Sequence, residues 1–156
     1  MRIFLLLFLL IFTLGCATRN INYDRNKILK KYASDFNIIL DSEKINLENL
    51  YLHKENIKNT TVDKKEKTVT IDQFKKTELI SLGEIYLDSL SKNRGGWKKK
   101  EIGFIIIDGV PLDVQNLEVI KIDPNAIKDF RIQKGEDSKG NRFFRMDRDY
   151  LIITTK

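Results

Sequence analysis

The sequence predicts an α+β protein with small mixed sheets, built from two units of strand, turn, helical turn, strand and strand that a helix connects. Three observations support this class. The last third of the chain has apolar, strand-like runs that stop at turn residues, residues 37–72 resemble that part, and residues 77–92 place apolar side chains at helical intervals.

The second predicted unit, residues 102–156, carries the clearest signals. Ile102–Ile107 is an almost unbroken apolar run, rich in β-branched side chains, and Asp108 and Gly109 stop it. This pattern is typical of a buried strand that ends in a tight turn. Pro111 lacks an N–H, so the stretch that follows the turn is expected at a sheet edge or outside the ladder.

The remainder of this unit predicts a helical turn and two strands. Asp123 offers an N-cap acceptor and Pro124 has a fixed φ that suits the first helical position, so one helical turn is expected there. Phe130 and Ile132 alternate with polar neighbours as in a half-buried strand, and residues 150–155 form the closing strand.

Residues 37–72 repeat this order, and we interpret them as a degenerate first copy. The aligned pairs are Asp41 with Asp108, Ile45 with Leu112, Asn49 with Asn116 and Leu50 with Leu117 at a constant offset of 67, and Ile57 with Ile127 at an offset of 70. Both copies keep an aspartate after the first strand, which suits a turn because its carboxylate accepts backbone hydrogen bonds. Chance similarity between Ile-, Lys- and Asn-rich stretches is the alternative.

Residues 73–101 are predicted to connect the copies by a helix and a basic loop. The helical stripe consists of Leu79, Leu82, Tyr86 and Leu90, whereas the alternation of Ile85 and Leu87 would suit a strand. In the loop, an aromatic side chain beside three lysines suggests contact with a partner or a membrane interface, with core packing as the alternative. These loop residues are Trp97, Lys98, Lys99 and Lys100.

The order of motifs in residues 102–156 resembles the plug domain of TonB-dependent outer-membrane receptors. The segments that carry the resemblance are Phe104-Ile-Ile-Ile-Asp-Gly-Val-Pro-Leu112, Ile122-Asp-Pro-Asn-Ala-Ile-Lys-Asp-Phe-Arg-Ile-Gln-Lys134 and Leu151-Ile-Ile-Thr-Thr-Lys156. The resemblance implies a plug-like module without a barrel that binds a protein partner.

The N-terminus has the features of an export signal. Arg2 precedes twelve residues, 3–14, that are apolar apart from Thr13, which is shorter than the roughly 20 residues needed to span hydrocarbon. Thr13-Leu14-Gly15-Cys16-Ala17 resembles the lipobox of bacterial lipoproteins, which implies removal of residues 1–15 by cleavage between Gly15 and Cys16, and lipid on Cys16. A secreted protein with an incidental cysteine is the alternative.

Residues 16–36 would then hold the lipidated cysteine, a tether to about Arg25, and a short amphipathic helix. No catalytic residue, metal site, cofactor or small-molecule substrate is expected, because His53 is the one histidine, read as an exposed side chain, and no base accompanies a Ser or Cys nucleophile.

These features predict a non-catalytic lipoprotein of the bacterial envelope, anchored by lipid, at the outer membrane facing the periplasm. Its formal net charge of +6 suits solubility or anionic envelope surfaces, and an exported protein does not normally meet nucleic acid. The expected partner is another envelope protein, docked by strand addition at a sheet edge. The alternatives are an envelope hydrolase or inhibitor lipoprotein, and a structural protein that self-assembles.

Overall fold

The computed structural model describes residues 18–84, 102–113, 117–134 and 149–156. The strands form several small sheets and are accompanied by 3₁₀ turns and helical structure, which confirms the predicted α+β class. The chain divides into two compact units. Compact unit 1 combines residues 18–45 with Lys58–Gln73, and compact unit 2 combines Asn46–Ile57 with the described residues from 74 onward.

The strands are β1 (Thr18–Asn20), β2 (Asn37–Leu40), β3 (Glu43–Ile45), β4 (Leu50–Tyr51), β5 (Ile57–Asp63), β6 (Thr68–Gln73), β7 (Ile80–Ser81), β8 (Ile102–Ile107), β9 (Val110–Asp113), β10 (Lys121–Ile122), β11 (Ile127–Gln133) and β12 (Asp149–Thr155). The helix α1 spans Arg25–Tyr32, and the 3₁₀ turns are Leu47–Asn49, Lys54–Asn56 and Pro124–Ala126.

Compact unit 1 is a sheet with the order β1-β5-β6-β2-β3, accompanied by α1. Alternate side chains of the inner strands are buried, as a sheet with one core face requires. These core residues are Ile38, Leu40, Val62, Val69 and Ile71. Helix α1 begins after Asp24, whose carboxylate accepts the N–H of Lys27 at 3.0 Å, and its Ile28 is 1% exposed.

Compact unit 2 contains a four-stranded sheet with the order β11-β12-β8-β9 and a three-stranded sheet with the order β4-β10-β7. Both sheets contribute to one hydrophobic core. Its buried members are Tyr51, Leu82, Ile105, Ile107, Leu117, Ile120, Ile122, Ala126, Leu151 and Ile153. Because the central strands β8 and β12 bury every second isoleucine or leucine, this sheet packs its inner face on that core.

The two aligned segments have the same strand order and the same register. The order β5-β6-β2-β3 corresponds to β11-β12-β8-β9. In the first segment Ile38 pairs with Val69 of the parallel strand and with Ile45 of the hairpin partner. In the second segment the positions 67 residues later are Ile105 and Leu112, and Ile105 pairs with Leu112 and with Leu151. The internal sequence similarity therefore coincides with an equivalent topology.

The hairpin turn is also equivalent in both segments. Asp41 and Ser42 have φ values of 46° and 73°, and Asp108 and Gly109 have φ values of 51° and 82°. Positive φ at both central residues is the type I′ geometry that two-residue hairpins favour. The Asp41 carboxylate accepts the N–H of Gln73 at 2.8 Å, which ties the turn to the last strand of its segment.

Ser42→Gly should stabilise the protein by about 0.5–1 kcal/mol, because glycine adopts positive φ without the steric cost that a Cβ adds. Gly109→Ser is the matched reverse change. A Cβ at Gly109 meets no atom within 4 Å, so this variant reports backbone strain alone and should lose roughly 1 kcal/mol. Urea unfolding of both variants measures the effect; equal shifts of the same sign would contradict a shared turn geometry.

Two parts of the structure differ from the predictions. The predicted tether folds from Thr18 onward, because β1 pairs antiparallel with β5 and Ile21 donates its N–H to the Thr60 carbonyl at 2.9 Å. The connecting helix was predicted from Thr77, but strand β7 occupies Ile80–Ser81 and pairs with β10. Helical structure begins at residue 82, and residues 85–101 lie outside the described part.

The start of that helix has a capping box that sequence reasoning missed. Ser81 Oγ accepts the N–H of Glu84 at 3.1 Å, and the Glu84 carboxylate accepts the N–H of Ser81 at 3.3 Å. The Ser-x-x-Glu spacing at these positions is the sequence signal for such a start. It places the helix N-terminus directly after β7, rather than at Thr77.

Candidate functional site

The residues predicted to carry lipid or contact a partner lie outside the described part of the chain. They are Gly15, Cys16, Trp97, Lys98, Lys99 and Lys100. The described chain begins at Thr18, two residues after Cys16, and it begins directly with strand β1. Within the described ranges, no helix is long and apolar enough to cross a membrane.

The predicted turn residues lie together at one end of the β8-β9 hairpin. Asp108 accepts the N–H of Thr155 at 2.7 Å with Oδ1, and the Thr155 hydroxyl donates to Oδ2 at 2.6 Å. Pro111 lies in the edge strand β9 and pairs with Ile106. Because both carboxylate oxygens of Asp108 hold the closing strand, this residue has a structural role at the turn.

The main difference between the equivalent sheets lies at the outer edge of β5 and β11. In compact unit 1, β1 covers β5, with Arg19 opposite Val62 and Asn20 opposite Thr61. Among the described residues, no strand pairs with β11 on the side away from β12. We name this side of β11, at residues 129–131, the β11 edge. It is the candidate interaction site, because unpaired backbone N–H and C=O groups accept a further strand.

The side chains of β11 alternate between the core and solvent. Phe130 and Ile132 pack against the core of compact unit 2, where they pair with Ile153 and Leu151 of β12. Asp129 and Arg131 are exposed. Directly paired residues on neighbouring strands point to one face, so these two charged side chains lie on the face opposite the core.

The β11 edge is regular over residues 129–131, but not before them. The register with β12 shifts between Ile127 and Asp129, which leaves Lys128 as the extra residue of a bulge. Bulges limit unwanted pairing at sheet edges. An added strand therefore has a bulge-free span beginning at Asp129.

Strand β1 shows how such an edge is covered in this protein. All three of its residues are exposed, so β1 is held by backbone pairing and by its ends, without burial of side chains. Thr18 donates its hydroxyl to Asp63 Oδ2 at 3.2 Å. The pKa of the Asp63 carboxyl is held below its usual value, foremost by the N–H of Glu66 and also by the N–H of Lys65.

Two polar side chains occupy equivalent N-cap positions, Asp123 in the second segment and His53 in the first. Asp123 is fully buried; its Oδ1 accepts the N–H of Asn125 at 2.9 Å, whereas Oδ2 has no hydrogen-bond partner. His53 was predicted to be exposed but is half-buried, because it begins a 3₁₀ turn beside the buried Leu52. Its Nε2 lies 3.6 Å from Glu55 Oε2.

The fold of the described residues accounts for these polar groups. In the described residues, no three His, Cys, Asp or Glu side chains converge as a metal ion would require. Tyr23 is a further buried polar side chain, and burial raises the pKa of its phenol. Asp123 caps a 3₁₀ turn and Tyr23 belongs to the packed core, so both have structural explanations.

The β11 edge is therefore the candidate site in the described part of the chain. Sequence alternation predicted β11 itself, since Phe130 and Ile132 alternate with polar residues. The exposed edge had no sequence signal, because strand neighbours are set by topology. Comparison of this chain with protein-family models, curated proteins and solved structures found no match.

Proposed function

We propose that this chain is a lipid-anchored, non-catalytic protein of the bacterial envelope that binds another protein chain through the β11 edge. The β11 edge is the observation that carries the proposal. An equivalent edge in the same molecule, that of β5, is covered by a strand, whereas in the described chain β11 has none. A strand added there gains backbone hydrogen bonds, and neighbouring side chains supply specificity.

The proposed anchor is a lipid on Cys16, on the evidence of the lipobox-like residues 13–17. Two extended residues reach about 7 Å, so lipid on Cys16 would hold β1 close to the headgroup layer. Ala17, Thr18, Arg19 and Asn20 follow the cysteine, without the acidic residues that favour surface display in some bacteria. This arrangement supports a position at the outer membrane facing the periplasm.

The resemblance of residues 102–156 to plug domains supports the same class of function. A plug-like sheet without a barrel would act as a module that contacts other envelope proteins. The four-stranded sheet of compact unit 2, which contains β11, lies within this stretch. The plug-like segment and the candidate edge therefore coincide.

The anchoring step is tested by labelling cells with an alkyne analogue of palmitate and comparing wild type with Cys16→Ser. Wild type should incorporate the label and carry it on a peptide that begins at Cys16, as mass spectrometry would show. Cys16→Ser should take up no label and remain uncut before residue 16, whereas the control Thr18→Ser should behave as wild type. An unmodified Cys16 thiol in the wild-type protein, or labelled Cys16→Ser, would overturn the anchor.

A further inference from the structure

We propose that the β11 edge pairs with the β11 edge of a second copy of this chain, antiparallel and about a twofold axis at Phe130. The pairing would join two four-stranded sheets into one continuous sheet through the two β11 strands. It would give β11 the backbone partner that β5 obtains from β1. The inference rests on the proposed role of the β11 edge, and it is independent of the lipid.

The charges along β11 select this register. With the axis at Phe130, Asp129 of each copy lies opposite Arg131 of the other, so two pairs of opposite charge form. An axis at Asp129 places two aspartates opposite each other, and an axis at Arg131 places two arginines opposite each other. Opposite charges on paired positions stabilise neighbouring strands and like charges destabilise them. The edge is therefore complementary to itself in one register.

The positions of these side chains suit the pairing. Asp129 and Arg131 are exposed and pair with Thr154 and Ile152 of β12, on the face opposite the core. Both would stay on that face in the joined sheet, within reach of their counterparts. Phe130 points to the core face and packs there in its own copy. The pairing thus requires no buried side chain to move.

A pairing about Phe130 has the same length as the pairing of β1 with β5. Strand β1 pairs with three residues of β5, and of the regular stretch 129–133 beyond the bulge at Lys128, a twofold axis at Phe130 pairs residues 129–131 before the bulge is reached. Antiparallel pairing of identical strands gives a closed, isologous contact, so two copies complete it and no open filament results. A second copy is accordingly the occupant that this edge fits.

The test exchanges charges on β11 in the full chain. Each variant is extracted in a mild detergent, and its molar mass is measured by size-exclusion chromatography with light scattering. Wild type should have twice the mass of the chain. Asp129→Arg and Arg131→Asp each replace two attractive pairs by two repulsive ones, so each should raise the dimer dissociation constant by about tenfold or more. The double variant Asp129→Arg with Arg131→Asp restores opposite charges and should dimerise as wild type does.

The control Lys65→Asp makes the same change of charge as Arg131→Asp, at an exposed turn residue of compact unit 1, and it should remain dimeric. Because the double variant carries both substitutions, its recovery separates pairing from a folding defect. A monomeric wild type, or a dimer that both single variants leave intact, would overturn the self-pairing. If wild type is monomeric but Cys16 carries lipid, the self-pairing is wrong and the proposed anchor stands. If wild type is a dimer without lipid on Cys16, the proposed anchor is wrong and the self-pairing stands.

Discussion

Replacing Ile153 by alanine should lower the free energy of unfolding of compact unit 2 by about 3–4 kcal/mol. Ile153 is fully buried in β12, between Phe130 of β11 and Ile107 of β8. Truncation removes buried methyl and methylene groups and leaves a cavity that a packed sheet cannot close. Urea unfolding followed by circular dichroism measures the loss.

Ile152→Ala is the matched control, since it makes the same truncation one position earlier on the same strand. Ile152 is half-buried and lies on the opposite face of the sheet. It should therefore lose about half as much free energy as Ile153→Ala. Equal losses at the two positions would contradict the assignment of the core face.

Asp108→Ala should lower the free energy of unfolding by about 2 kcal/mol, the second-largest effect expected. The variant loses two hydrogen bonds from Thr155 to a carboxylate, of 2.7 and 2.6 Å, and places an alanine at a φ of 51°. Exposure of the site reduces the value of each bond, because water competes for the same groups. Thermal unfolding and urea unfolding both measure the change.

Asp108→Asn separates the two causes of this loss. Asparagine tolerates positive φ and keeps one acceptor oxygen, so it should lose about half as much as alanine. Asp41→Ala provides an internal comparison, since Asp41 accepts one backbone N–H, that of Gln73. A larger loss at Asp41 than at Asp108 would contradict the role given to the two Thr155 bonds.

The sequence predicted those parts of the fold in which side chains determine the backbone. The α+β class follows from apolar alternation, and the hairpin of β8 and β9 follows from Asp108 and Gly109. In the turn of residues 37–72, only Asp41 matches the turn residues of the second segment. Ser42 stands where the second segment has Gly109, and it adopts positive φ although it is not a glycine. The 3₁₀ turn after Asp123 follows from Pro124.

The parts that the sequence did not predict depend on backbone pairing between distant segments. Strand β1 consists of three exposed residues, so it has no buried side chain to mark it, and it was interpreted as a tether. Strands β4, β7 and β10 have two residues each, which is too short for any periodic pattern. The β11 edge was not predictable either, because the lack of a neighbouring strand among the described residues leaves no pattern in β11 itself.

The pairing of β4 with β10 joins distant parts of the chain, which affects its folding during synthesis and the fragments into which it can be cut. Tyr51 and Ile122 are partners across a parallel ladder although they are 71 positions apart, and Asp123 donates its N–H to the Tyr51 carbonyl at 2.8 Å. The three-stranded sheet can close only after the ribosome has produced most of the polypeptide, and contacts between such distant residues slow folding. A fragment that starts at Phe74 would lack β4, so the C-terminal half of the chain alone would not contain all strands of compact unit 2.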